Sequence, residues 1–197
     1  MRSHTTAAVV AGLALALAGP AGAATGGAAP AALAPQGGTG GMAVGAPAPQ
    51  STRDRPVVPG TRARLIRGIA FAPEAAPLAV KRAIWAGNKL QNKPYIYGGG
   101  HASFALDRGY DCSGTVSFVI HAAGLLPYSY PVDATGFFRW GRPGRGEWIT
   151  TYANGSHAYV VLAGLRLDTS GNGGHGPRWN PEPRDAASFI ARHPAGY

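Results

Sequence analysis

The feature that most constrains this chain is the run Asp111-Cys112-Ser113-Gly114, which carries its only cysteine. A lone cysteine cannot close a disulfide within its own chain, so the thiol is free, paired with another chain, or reactive. The run also opens a helix. Asp111 suits the N-cap position. Cys112, Val116, Val119 and Ala123 follow i, i+4, i+7, i+11 spacing, flanked by Phe118 and Ile120, and Gly124 supplies the stop. The cysteine thus falls in the first turn, at the end of the core-facing stripe. Unpaired N–H groups and the positive end of the helix dipole lower a thiol pKa there. The stripe points the sulfur at whatever the helix packs on.

The expected packing partner is a sheet. His157-Ala158-Tyr159-Val160-Val161-Leu162 is β-rich, and Leu165-Arg166-Leu167-Asp168-Thr169 reads as a second short strand. Ala163-Gly164 between them suits a tight turn. With that two-residue turn, Leu162 pairs with Leu165 and Tyr159 with Asp168. Side chains alternate along a strand, so His157 and Tyr159 share a face, and Asp168 lies diagonal to His157 on it. A three-residue loop would flip the parity and place Thr169 near the histidine instead.

Three regions precede this unit. Arg2, the apolar stretch from Ala7 to Ala18 and the small residues Ala21-Gly22-Ala23 read as a secretory signal over residues 1–23. The apolar run is too short to span a bilayer, so no stable membrane span is expected after cleavage. Residues 24–60 are dominated by Ala, Gly and Pro, cannot bury enough apolar surface to order, and read as a flexible linker. Residues 61–73 form a basic connecting segment. Residues 74–197 fit one domain. Within it, residues 77–86 look helical with proline at the start, and that helix ends before Pro94.

A cysteine nucleophile needs a base, and the base needs a third group to orient it. Cys112, His157 and Asp168 supply that set. Cys112 attacks a carbonyl, His157 forms the ion pair and protonates the leaving amine, and Asp168 fixes the imidazole tautomer. The Cys112 N–H and the Tyr95 hydroxyl face the oxyanion. Asp111, Ser113 and His101 are placed with Tyr95 on the oxyanion and substrate side. Each residue also has an ordinary reading: a buried core thiol, a strand-start histidine bonded to backbone, a turn-capping aspartate. Their combination with Tyr95 and the glycines favours chemistry.

Other signals carry less. Asp168-x-Ser170-x-Asn172-Gly173 resembles the first half of a calcium loop, but Trp179 stands where the closing Glu belongs; it reads as a turn. No phosphate loop and no zinc spacing is found, so neither metal nor cofactor is expected. His121 reads as structural, Trp148 as core, and Trp140 and Trp179 as either core or exposed grips. The formal net charge of +9 favours anionic surfaces. The basic residues are scattered and no nucleic-acid-binding motif is present, so nucleic acid is not an expected partner.

Pro94-Tyr95-x-Tyr97-Gly98-Gly99, then Asp111-Cys112-Ser113-Gly114-x-Val116, then His157 before an apolar strand, resembles the NlpC family of papain-like cell-wall cysteine peptidases. The resemblance covers about residues 77–170. It implies an α+β papain-like fold, with N-terminal helices packed on an antiparallel sheet. It places the nucleophile on Cys112, the base on His157 and the active-site tyrosine on Tyr95. It implies hydrolysis of amide bonds in peptidoglycan stem peptides by an exported, extracellular or wall-associated monomer that meets peptidoglycan or another anionic wall polymer. The chain departs from the family at Pro143-Gly144-Arg145-Gly146-Glu147-Trp148, which lacks the usual Asp-Leu. Asp168 stands where His, Asn or Gln is commoner. The segment 126–145 and the tail from Ser170 onward are not family-typical. Two other readings remain: a catalytically silent wall-binding module of the same fold, and an amidase or acyltransferase using the same triad.

Overall fold

The computed structural model describes residues 52–171 and 176–197. These belong to one unit, Val44–Tyr197. The expected signal peptide, most of the expected linker, and Asn172-Gly173 of the glycine-rich turn lie outside the described residues. In chain order the elements are β1 (Val57–Val58), β2 (Arg64–Ile66), β3 (Ile69–Pro73), α1 (Leu78–Asn88), α2 (Cys112–Ala122), a 3-10 turn (Thr135–Phe138), β4 (Arg142–Pro143), β5 (Ile149–Ala153), β6 (Ala158–Leu162), β7 (Leu165–Asp168), β8 (Arg178–Asn180) and β9 (Ile190–His193).

The fold is α+β. Six strands form an antiparallel sheet ordered β4-β9-β5-β6-β7-β8. Both helices pack on it and on each other. The stripe of α2 explains its placement: Val116, Val119 and Ile120 are fully buried. Each such side chain contributes roughly 1.5–3 kcal/mol by leaving water. The helix ends as its sequence demands. Gly124, at φ 75°, donates its N–H to His121 O, and Leu125 donates to Ile120 O. This paired closure satisfies carbonyls the helix would otherwise leave open. At α1, Pro77 occupies the N-cap position with an extended backbone, one residue before the helix proper.

The β6–β7 hairpin fixes the register of the site. Leu162 pairs with Leu165 and Val160 with Leu167. Ala163 and Gly164 both have positive φ, 47° and 92°, the two-residue turn whose twist matches paired strands. An alanine tolerates this poorly, and it is pinned from both sides: its N–H donates to Trp148 O at 2.7 Å, and its carbonyl accepts from Ala63 N at 2.9 Å.

Two expectations need correction. The linker does not run to residue 60, and 61–73 is more than a connection. From Thr52 the chain is built into the domain. β3 sits between β1 and β2 in a second, three-stranded sheet. Trp85 Nε1 donates to Pro56 O at 3.1 Å. Asn88 brackets Ala70, donating to its carbonyl at 2.8 Å and accepting its N–H at 2.9 Å. Ala70 and Ala72 are fully buried, small enough to let β3 lie close on α1. The basic residues of this segment, Arg62, Arg64 and Arg67, are exposed.

The tail also completes the domain, with β8 on β7 and β9 on β5. Trp140 and Trp179 are core residues, 3% and 5% exposed, whereas Trp148 is half-buried against the core. His121 stacks on Phe104 with ring centroids 3.7 Å apart.

Candidate active site

The start of α2 and the glycine-rich segment before it are one hydrogen-bonded object. Asp111 caps the helix, accepting the Gly114 N–H on Oδ1 at 2.7 Å. Its Oδ2 accepts the Gly98 N–H at 3.0 Å, and its own N–H donates to Gly99 O at 3.1 Å. The segment passes so close that a Cβ on Gly114 would lie 2.2 Å from Gly99 O, and one on Gly100 would lie 2.4 Å from the Tyr110 ring. The two motifs occur together because each requires the other's missing side chains.

His101 and Ser113 join this cluster. His101 Nε2 lies 3.0 Å from Asp111 Oδ1, and Ser113 Oγ lies 3.2 Å from the same nitrogen. His101 is raised above the ordinary histidine value, chiefly by its bond to Asp111. Burial pushes the Asp111 carboxyl up, but the bonds from His101 and Gly114 outweigh it and hold the carboxyl low. Asp111 and Ser113 are buried, 7% and 4% exposed, and their polar atoms are committed to the helix start. Tyr95 and His101 keep exposed surface.

Tyr95 is held by a bridge to Tyr110, next to the cysteine. Burial raises its hydroxyl pKa, with the negative charges of Cys112 and Asp111 adding to the effect. It therefore remains a proton donor beside the sulfur.

Cys112 is a free, buried thiol, 9% exposed. Burial alone would raise its pKa. Hydrogen bonds from His157 and from the Ala158 N–H outweigh that and lower it. His157 stands at the entry to β6. The Asn154 side chain accepts the His157 N–H at 2.9 Å, and Asn154 N donates back to His157 O at 2.9 Å, so the β5–β6 turn sets the imidazole position. Its Nε2 lies 2.8 Å from Asp168 Oδ1, which leaves Nδ1 for the sulfur. Burial opposes protonation of His157, but its bonds to Asp168 and Cys112 prevail and raise it to about 9. The lowered thiol and the raised imidazole both favour a thiolate–imidazolium pair.

Asp168 faces His157; Thr169 does not, and its buried hydroxyl has no hydrogen-bond partner among the described residues. The Asp168 side chain is fully buried. Ser170 donates to Oδ1 through its N–H at 2.9 Å and its hydroxyl at 3.1 Å. Arg166 and Arg184 both donate to Oδ2. Burial favours the neutral acid, yet the bonds from His157, Ser170 and Arg184 keep the carboxyl far below the usual range.

Sequence reasoning missed Arg166, Ser170 and Arg184. Arg166 was readable, since it lies two residues before Asp168 on the same strand face. Arg184 carries no local signal, because a loop after β8 delivers it.

Solved structures similar to the chain include these two. One is the P60 domain of antigen MAP1204 from M. avium subspecies paratuberculosis, with 23% identity and a TM-score of 0.44, covering 58% of this chain and 94% of that one. The other is the peptidoglycan hydrolase RipB of Mycobacterium tuberculosis, with 22% identity and a TM-score of 0.45, covering 58% of this chain and 64%, under two thirds, of that one. No protein-family model and no curated protein matches the sequence.

Proposed function

We propose that this protein is an exported cysteine peptidase that hydrolyses amide bonds in peptidoglycan stem peptides. The observation that carries the reading is the continuous chain Cys112–His157–Asp168, with the sulfur on a helix N-terminus and the carboxylate fully buried behind the imidazole. The thiolate attacks the amide carbonyl carbon, forming a C–S bond and an oxyanion. The Cys112 N–H, in the first helical turn, and the Tyr95 hydroxyl are the donors for that oxyanion. As the C–N bond breaks, the His157 imidazolium gives its proton to the leaving amine. Neutral His157 then takes a proton from a water whose oxygen attacks the thioester carbonyl; the C–S bond breaks, the carboxylic acid is released, and the thiolate–imidazolium pair is restored.

Asp168 holds the Nε2–H and stabilises the imidazolium, the role a carboxylate plays behind a catalytic histidine. The substrate class rests on the resemblance of the Tyr95–Gly99 and Asp111–Val116 motifs to wall peptidases, and on the basic charge. Exposed Tyr97, 91% accessible, and Ile96, 40%, stand beside the site and suit a peptide-contacting wall.

The test is digestion of purified sacculi and soluble stem peptides, read by mass spectrometry. Wild type should release fragments cut at one amide bond, and Cys112→Ser should release none. Binding to sacculi without cleavage by wild type would favour the silent binding module. Transfer of the acyl group to an added amine in preference to water would favour the acyltransferase.

A further inference from the structure

The outer face of the six-stranded sheet, opposite the helices, carries a cavity of about 640 Å³. That is within the range of small-molecule sites. Tyr152 and Tyr159 line it as a buried pair, 5% and 2% exposed, stacked on each other with centroids 4.8 Å apart and roofed by Arg145 and Arg184. Its walls carry four arginines, Arg62, Arg145, Arg166 and Arg184, against two carboxylates, Glu147 and Glu182. Neither glutamate forms an ion pair with these arginines among the described residues.

The charge at the inner end is unbalanced. Arg166 is 9% exposed, and the single Asp168 carboxylate faces both Arg166 and Arg184. The thiolate–imidazolium pair beyond it is neutral overall. Arg166 also donates through Nε to Glu182 O at 3.2 Å, and Arg184, with 31% of its side chain exposed, donates to Ser170 Oγ, so the inner end carries one net positive charge that opens toward the cavity. At the outer end Arg145 is already oriented over the tyrosine pair, donating through Nε to the Tyr152 hydroxyl at 2.7 Å, with its guanidinium carbon 6.0 Å from that ring. Arg62 reaches in over Gly164, where its guanidinium would be 2.7 Å from an added Cβ. Planar guanidiniums match carboxylate and phosphate oxygens in paired hydrogen bonds.

We propose that this cavity, which adjoins His157 through Tyr159 (ring centroids 6.4 Å apart), is a binding site for a ligand of about disaccharide size carrying a carboxylate or phosphate group. The proposal does not depend on the reaction at Cys112. The two sites meet at Asp168, because Arg166 and Arg184 wall the cavity while donating to that carboxylate.

The test is isothermal titration of the intact chain with three disaccharides of similar size: digalacturonate, a phosphate-bearing disaccharide, and neutral lactose. Saturable one-to-one binding of either charged sugar, at least ten-fold tighter than lactose, is expected, and which one binds identifies the oxyanion. Affinity should fall at least ten-fold in Arg62→Ala/Arg145→Ala and rise in Glu147→Gln. All three positions are exposed, and a gain in affinity cannot come from misfolding. Equal affinity for charged and neutral sugars, no saturable binding, or affinities indifferent to these substitutions would overturn the proposal.

Discussion

His157 Nε2 and Asp168 Oδ1 are 2.8 Å apart, and the opposite oxygen of the same carboxylate is held by two arginines. The carboxylate that orients the imidazole is thus also the counterion of buried positive charge. Replacing it with the isosteric Asp168→Asn removes both functions. The variant leaves Arg166 and Arg184 without their partner, a loss of about 3 kcal/mol by the measure of broken buried pairs, readable by urea denaturation. The pH dependence follows from the lowered carboxyl. Asp168 contributes stability that is fully present above the unfolded value of about 3.9 and is lost as pH falls toward the folded one. Wild type should therefore lose more stability than Asp168→Asn between neutral pH and pH 3, narrowing the gap between them.

The close passage of the glycine-rich segment over α2 predicts a second effect. In Gly114→Ala the added methyl would stand 2.2 Å from Gly99 O, a backbone atom that cannot swing aside. The expected cost is at least ~1–3 kcal/mol, as for other overpacked sites. The damage should concentrate at the helix start, so amide exchange should accelerate for residues 98–100 and 111–115 more than for β5 and β6.

A third prediction separates the tail from the chemistry. Trp179 packs so tightly on α1 that a Cβ at Gly87 would lie 2.5 Å from its ring, and its Nε1 donates to Asn88 Oδ1 at 3.0 Å. Trp179→Ala should cost about 3–5 kcal/mol, seen as a lower denaturation midpoint. At low temperature, where the variant remains folded, the pH profile of Cys112 alkylation should match wild type.

The site was legible where local rules determine it. Asp111 capping, the α2 stripe, the Gly124 stop and the Ala163-Gly164 turn are each encoded within a few residues; the sequence left Asp168 and Thr169 open, and the register of the two-residue turn chose Asp168. Legibility ended where placement depends on tertiary closure. Residues 61–73 carry exposed arginines that masked the small core residues Ala70 and Ala72. Arg184 reaches Asp168 from a loop whose position depends on β8 pairing with β7, a three-residue strand with little pattern of its own. Trp140 and Trp179 fit either core or surface until the helices and sheet are assembled around them.

The most direct measurement is the rate of Cys112 alkylation by iodoacetamide as a function of pH, in wild type and His157→Ala. Cys112 is held below its ordinary value and His157 is raised to about 9, so the thiolate–imidazolium pair persists across neutral pH and dissolves as pH rises past about 9. Wild type should react near its plateau rate at pH 7. His157→Ala leaves burial without the opposing imidazole, so its thiol should titrate at or above the free value of about 8.5 and react at least about thirty-fold slower at pH 7. A wild-type profile that itself titrates near 8.5, unchanged by His157→Ala, would contradict the triad.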